Sequence, residues 1–216
     1  TRLATVVDAV GVAQQITTKP ELGLVGGNKR AVFFGTGKFI GDADKTSLQR
    51  NSFYAVKDDM NSITSPVYDM SRSGTYPTQT ISGFTQQTLI PSTVNPLTER
   101  TTAVNTDVPF SAPTANGWFI DFPDGGTTGV PSERQNVDPI LQLGTLVVPS
   151  NVPNSDTCVA GGYGWINFFD YKTGAYIPGS SNNMASQKIS SSLVVGINVI
   201  QLPGGTVMNW KPPSAS

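Results

Sequence analysis

Short apolar runs of four to seven residues recur along the chain, rich in β-branched and aromatic side chains and bounded by Gly, Pro or Asp. Two stretches align on each other. The first runs Lys19-Pro-Glu-Leu-Gly-Leu-Val, then Ala31-Val-Phe-Phe-Gly-Thr-Gly, then Ser52-Phe-Tyr-Ala-Val-Lys-Asp. The second runs Asp138-Pro-Ile-Leu-Gln-Leu, then Gly144-Thr-Leu-Val-Val-Pro, then Gly164-Trp-Ile-Asn-Phe-Phe-Asp-Tyr-Lys-Thr-Gly. Gly117-Trp-Phe-Ile-Asp-Phe-Pro reads as a partial third copy, and Ser192-Leu-Val-Val-Gly-Ile-Asn-Val-Ile as a fourth that supplies only strands. The pattern predicts antiparallel strands joined by tight turns, whose bulky aromatics fill the wedge between neighbouring sheets, as in propeller blades. No segment has a sustained helical period; Asp44 to Arg50 is long enough for one short helical turn.

From Met60 to Ala115 the rhythm breaks into Ser, Thr, Pro and Gln, with strand-like pieces at Gln79-Thr-Ile-Ser and Gln87-Thr-Leu-Ile. Such a stretch is either a decorating insertion that carries function or two further ordinary strands. One domain over residues 1–210 with this insertion at about 60–115, and a tail at 211–216, is the expected organisation. At roughly 40–50 residues per blade the chain makes about four units, and nearer three once the insertion is set aside. The expected fold is therefore all-β and propeller-like, a partial arc of about three to four blades whose ends need covering.

Charge and composition narrow the function. Charged residues are 13% of the chain and the net charge is −1, which gives no electrostatic footing for nucleic acid. No apolar run is long enough to span a bilayer and no signal segment stands at Thr1, so a mature product or an excised fragment is expected. Cys158 is the single cysteine, which excludes an internal disulfide. It is either an inert thiol or one half of a pair completed outside this sequence.

Candidate chemistry is sparse. The chain has no histidine, which removes Ser-His-Asp and Cys-His catalysis and the commonest metal ligand. Gly35-Thr-Gly-Lys38 fails as a phosphate loop, because Val32 stands where a glycine is needed and Phe39 where a hydroxyl is needed. It reads as a structural turn. The carboxylates Asp58, Asp59, Glu133 and Asp138 have no spacing that sets two of them across a cleft. Asp42 and Asp44 are the weak candidates for a calcium site, but Lys45 and Thr46 do not continue the alternation of oxygen ligands that such a loop requires. Trp118 and Trp165 each follow a glycine inside an aromatic strand and read as packing residues, with sugar stacking or peptide binding as the alternative if exposed.

With those residues laid out, the chain resembles the C-terminal domain of the PilC/PilY family of type IV pilus tip-associated proteins. The match is carried by Gln15-Ile-Thr-Thr-Lys-Pro-Glu-Leu, by Val32-Phe-Phe-Gly-Thr-Gly-Lys-Phe, and by Asn51-Ser-Phe-Tyr-Ala-Val-Lys-Asp. It continues in Gly117-Trp-Phe-Ile-Asp-Phe with Glu133-Arg134 and Asp138-Pro139, and in Pro149-Ser followed by Asp156-Thr-Cys-Val-Ala-Gly-Gly-Tyr-Gly-Trp-Ile. The resemblance implies a quinoprotein-like β-propeller exported to the cell surface or pilus tip. It implies a role in pilus biogenesis and adhesion by binding, without catalysis and without a bound cofactor. Implied partners are pilus components or minor pilins, and a host-cell or abiotic surface. The alternating Asp/Asn calcium loop typical of the family is not found in this sequence. The expected contact loops are 60–115 and Asn151–Gly164. A quinone-dependent dehydrogenase fragment is the alternative that shares the blade repeat, and a scaffold repeat of an outer-membrane assembly complex is a second.

Overall fold

The computed structural model describes residues 2–58, 68–103, 107–156, 161–189 and 192–199. In chain order the strands are β1 (Ala4–Val6), β2 (Glu21–Leu24), β3 (Arg30–Gly35), β4 (Ser52–Asp58), β5 (Tyr68–Met70), β6 (Phe84–Gln87) and β7 (Leu89–Pro91). They continue with β8 (Glu99–Thr102), β9 (Gly117–Asp121), β10 (Ile140–Gln142), β11 (Thr145–Pro153), β12 (Gly162–Asp170) and β13 (Ser186–Ile189). Three short 3-10 turns, at Gly26–Asn28, Asp42–Thr46 and Ser181–Asn183, are the helical elements among the described residues. None is long and apolar enough to cross a membrane. The all-β expectation holds.

The strands form three sheets: β2-β3-β4-β9-β6, β10-β11-β12-β13-β8-β7, and the pair β1-β5. The two aligned stretches of sequence become equivalent antiparallel meanders, β2-β3-β4 in the first large sheet and β10-β11-β12 in the second. Each meander follows from its turns: a 3-10 turn joins β2 to β3, and Leu143-Gly144, both at positive φ, join β10 to β11.

The central strands β4 and β9 are buried on both faces, which explains why their sequences read as continuous apolar runs rather than alternating ones. One face of the first sheet presents Ala31, Phe33, Phe53, Ala55, Trp118 and Ile120 to Leu146, Val148 and Phe169 of the second. Phe33, Phe53, Trp118 and Phe169 meet with ring centroids 5.9–6.4 Å apart, in tilted and edge-on contacts. At about 1.5–3 kcal/mol per buried large side chain, this seam is the main cohesion between the sheets. The opposite face of the first sheet (Phe34, Tyr54, Val56, Phe119) is covered by Val6, Met70 and Ile81. The far face of the second (Val147, Ile166, Phe168) is covered by Val194, Ile197 and Val199.

The structure revises three details of the sequence reading. Gly117–Asp121 is no separate copy of the unit but the fourth strand of the first sheet, hydrogen-bonded to β4. Residues 192–199 supply no strand; Val194 instead lies over the second sheet, exchanging hydrogen bonds with the Asn151 side chain at 2.7 and 2.8 Å. The supposed insertion is woven into the fold. Its β5 pairs with β1, β6 with β9, and β7-β8 extend the second sheet, so its described part is a set of ordinary strands rather than external decoration. The Ser/Thr/Gln-rich composition hid this, because these short strands bury few side chains of their own. Asp59, Cys158 and the tail 211–216 lie outside the described residues.

Candidate functional site

Along the face of the second sheet that meets the first, the side chains change character step by step. The cross-strand pairs run Leu146/Phe169, Val148/Asn167, Ser150/Trp165 and Val152/Tyr163, from dry core through a polar zone to an aromatic rim. The long loop between β9 and β10 enters the polar zone and brings Asp124, Glu133 and Arg134 with it. Glu133 there is 0% exposed and Arg100 4%, while Asp124 is partly exposed at the edge.

Arg100 on β8 donates to both Glu133 oxygens, at 3.2 and 3.0 Å, and is 2.7 Å from an Asp124 oxygen. Glu133 also accepts from the Ser150 hydroxyl at 2.5 Å and from the Asp124 amide at 3.3 Å. The indole N–H of Trp165 donates to Asp124 at 2.9 Å. Burial opposes ionisation of Asp124, but Arg100, Trp165 and Tyr163 outweigh it and hold the carboxyl below its ordinary range. Burial and the neighbouring Asp124 carboxylate push the Tyr163 hydroxyl up. Cations and rings alternate at the rim: the Arg100 guanidinium lies 3.5 Å from the centroid of Trp165, and the Lys188 ammonium 3.9 Å from that of Tyr163.

A second enclosed pair serves the first sheet. Arg72 reaches Asp121 on β9 at 2.6 and 2.7 Å, Ser52 at 2.8 Å and the Tyr54 hydroxyl at 2.7 Å. Burial raises the Tyr54 pKa to about 12. Arg134 has a third role. Its guanidinium donates to the carbonyls of Lys38, Asp44 and Ser47, pinning the loop after β3 from beneath. The Gly35-Thr-Gly-Lys turn packs on it. Gly37 has φ +133° and a Cβ there would sit 2.4 Å from the Arg134 Cβ, so only glycine fits.

Asp42 and Asp44 lie in the 3-10 turn Asp42–Thr46, close to the short helical turn expected there. Asp44 accepts from the Ile40 and Gly41 amides at 2.8 and 3.0 Å and pairs with Lys38 at 3.1 Å. The Ile40 amide, then Gly41 and Lys38, hold its pKa at about 2. Asp42 pairs with Lys45 at 2.8 Å. The two carboxylates are thus engaged by different lysines, and no cluster of three or more His, Cys, Asp or Glu that could hold a metal occurs among the described residues. Asp138 accepts the Lys19 amide at 2.8 Å, tying the loop before β10 to the one before β2. Trp118 is a core residue, 0% exposed, with its N–H bonded to the Tyr171 carbonyl at 3.1 Å. Trp165 also packs inside, at the rim rather than at a position equivalent to Trp118.

Where the aromatic rim ends, a cleft of about 450 Å³ opens, lined by loop residues 129–131 and by the paired ends of β11 and β12 with their flanks (152–155 and 161–163). Residues 152–155 and 161–163 of its lining belong to the segment Asn151–Gly164 expected as a contact loop. Val130, Pro131, Pro153 and Tyr163 give it apolar walls; Asn154 and Ser155 give it polar ones. The sequence reading missed Arg72, Arg100, Asp121 and Asp124. The available signal was a set of charged residues inside or beside strand-like runs of a chain with little charge elsewhere.

No family model and no curated protein matches the chain. Among solved structures, the crystal structure of the Pseudomonas aeruginosa PilY1 C-terminal domain superposes with a TM-score of 0.69 over 95% of this chain, at 20% identity. The chain shares its fold with that PilY1 domain. It spans 45% of the length of the PilY1 chain.

Proposed function

We propose that this chain is part of a type IV pilus-associated protein of the bacterial surface or pilus tip, acting in adhesion and pilus biogenesis by binding rather than catalysis. The carrying observation is the fold shared with the PilY1 C-terminal domain across 95% of the chain. The family resemblance of the sequence supports it independently, because its motifs fall on structural junctions: Gly37 against Arg134, Glu133 in the inter-sheet zone, and Gly162 to Trp165 at the rim.

In this reading the two large sheets are adjoining blades of a partial propeller. The repeated meanders pack face to face, and their first strands touch where Leu141 of β10 lies over Gly23 of β2. Covering less than half of the PilY1 chain fits an arc. The partners are pilus components such as minor pilins on one side and a host-cell or abiotic surface on the other. The contact surface is the loop end around the 450 Å³ cleft, held rigid by the buried ion pairs.

The test is fractionation and immunogold labelling of the producing bacterium with an antibody to this chain, alongside deletion of its gene. Label on sheared pili or at their tips, with fewer surface pili or weaker attachment in the deletion strain, is the expected outcome. A protein confined to the cytoplasm, with unchanged piliation and attachment, refutes the proposal.

A further inference from the structure

We propose that the cleft beside Tyr163 is a binding site for a neutral sugar unit of a surface glycan. This rests on the reading above that the loop end is the contact surface. The cleft, about 450 Å³, lies in the range of small-ligand sites, roughly 300–1,000 Å³. Among the described residues its lining contains no Asp, Glu, Lys or Arg, which suits an uncharged ligand.

Three features match a pyranose ring. Tyr163 supplies the aromatic ring of the lining, and Lys188 sits 3.9 Å from its ring centroid without lining the cleft. An aromatic ring in such a wall offers an apolar surface to the C–H face of a sugar. Asn154 uses its amide oxygen to accept from the Asp156 N–H at 3.0 Å, and among the described residues its N–H₂ has no acceptor. Ser155 donates to the Gly129 carbonyl at 3.1 Å, which leaves its oxygen as an acceptor. One donor and one acceptor beside a ring suit neighbouring hydroxyls, each of which donates and accepts.

A peptide fits less well. Pro131 and Pro153 have no N–H to offer an added strand, and a single aromatic does not make the ridged groove that extended proline-rich segments dock into. A shallow site with one stacking ring and two polar contacts binds weakly, with Kd roughly millimolar for a single unit; attachment would gain from many copies.

The experiment is saturation-transfer NMR on the full chain with cellobiose, lactose and diacetylchitobiose as probes, repeated on Y163F, Y163A and N154A. At least one sugar should show transfer concentrated on ring C–H protons. That signal should survive within about threefold in Y163F, fall at least tenfold in Y163A, and weaken several-fold in N154A. Melting curves identify any variant that has unfolded, and N154A, at a loop position, carries the test if Y163A does. No transfer from any probe at millimolar concentration overturns the proposal, as does transfer unchanged in both Y163A and N154A. Displacement of all sugar signal by a proline-containing peptide with higher affinity also overturns it, while leaving the loop end as a contact surface. Conversely, sugar binding lost in N154A with bacterial attachment unchanged keeps the sugar site and removes the adhesive role it was assigned.

Discussion

Replacing Asp121 by Asn tests whether the enclosed charges hold this fold together. The substitution keeps the shape of the side chain and removes its charge. Arg72 is 1% exposed in its side chain and Asp121 3%, so neither is screened by solvent. The other acceptors around the guanidinium are neutral: the Val7 carbonyl, Gln79, Ser52 and the Tyr54 hydroxyl. In D121N, Arg72 therefore remains buried and cationic with no anion beside it. Two unit charges about 4 Å apart interact by about 4 kcal/mol at an effective dielectric of about 20. The asparagine oxygen returns part of this by accepting one bond, whereas its N–H₂ faces the guanidinium donors and gives part back. The expected loss is about 3–5 kcal/mol, as for other buried pairs broken on one side. With a urea dependence of about 2 kcal/mol/M, the unfolding midpoint should fall by about 2 M. R72M, which removes the other charge, should also destabilise, because it leaves Asp121 buried with only the Ser52 hydroxyl at 2.6 Å. A D121N midpoint within about 0.3 M of the parent would refute the reasoning and show that water reaches Arg72.

Other expectations follow from single contacts. Gly37→Ala should cost about 2–3 kcal/mol, because φ is +133° and the added Cβ meets Arg134; an unchanged midpoint in urea would mean that the turn relaxes freely. Trp118→Ala should cost about 3–5 kcal/mol from the cavity alone, read in the same assay; a loss below about 1 kcal/mol would mean that the inter-sheet seam refills. Asp44 gives a pH dependence. Its folded pKa of about 2 lies below the ordinary value, so its contribution is present above about pH 4 and is lost as pH falls toward 2. Amide exchange in loop 38–47 should quicken over that window, and D44N should abolish the change; identical acid profiles in the two proteins would contradict it.

The two meanders were legible because each strand ends at a turn whose residues demand it, and because β3, β4, β11 and β12 are apolar runs covered on both faces. Partner choice was not legible. Phe119 and Trp118 look like members of another unit because an inner strand of any sheet has the same composition; only the register Tyr54↔Phe119 and Ala55↔Trp118 assigns them to the first. The segment from Leu193 to Val199 failed for a related reason. Its β-branched residues cover the second sheet as an apolar strap, and burial in that role asks for the same side chains as a strand.

The ion pairs were illegible for a different reason. Arg72, Asp121, Arg100 and Glu133 are 49 and 33 residues apart in their pairs, so no local spacing announces them. Glu133-Arg134 could be picked out only as part of a family motif, and the structure shows why the two adjacent residues work in opposite directions. Glu133 turns to the second sheet, to Arg100 and Ser150, while Arg134 turns to the loop after β3. One dipeptide thereby fixes the β9–β10 loop to both large sheets. Since Asp124 of the same loop bonds both Glu133 and Trp165, rigidity imposed by Glu133 reaches the rim through only a few bonded groups. A fold that encloses a few of its charges, between sheets that the aromatic seam already holds, gains little net stability from them, because each must be desolvated. What the charges contribute is geometry. They set how far the second sheet's rim stands from the β9–β10 loop, and that separation is the width of the cleft.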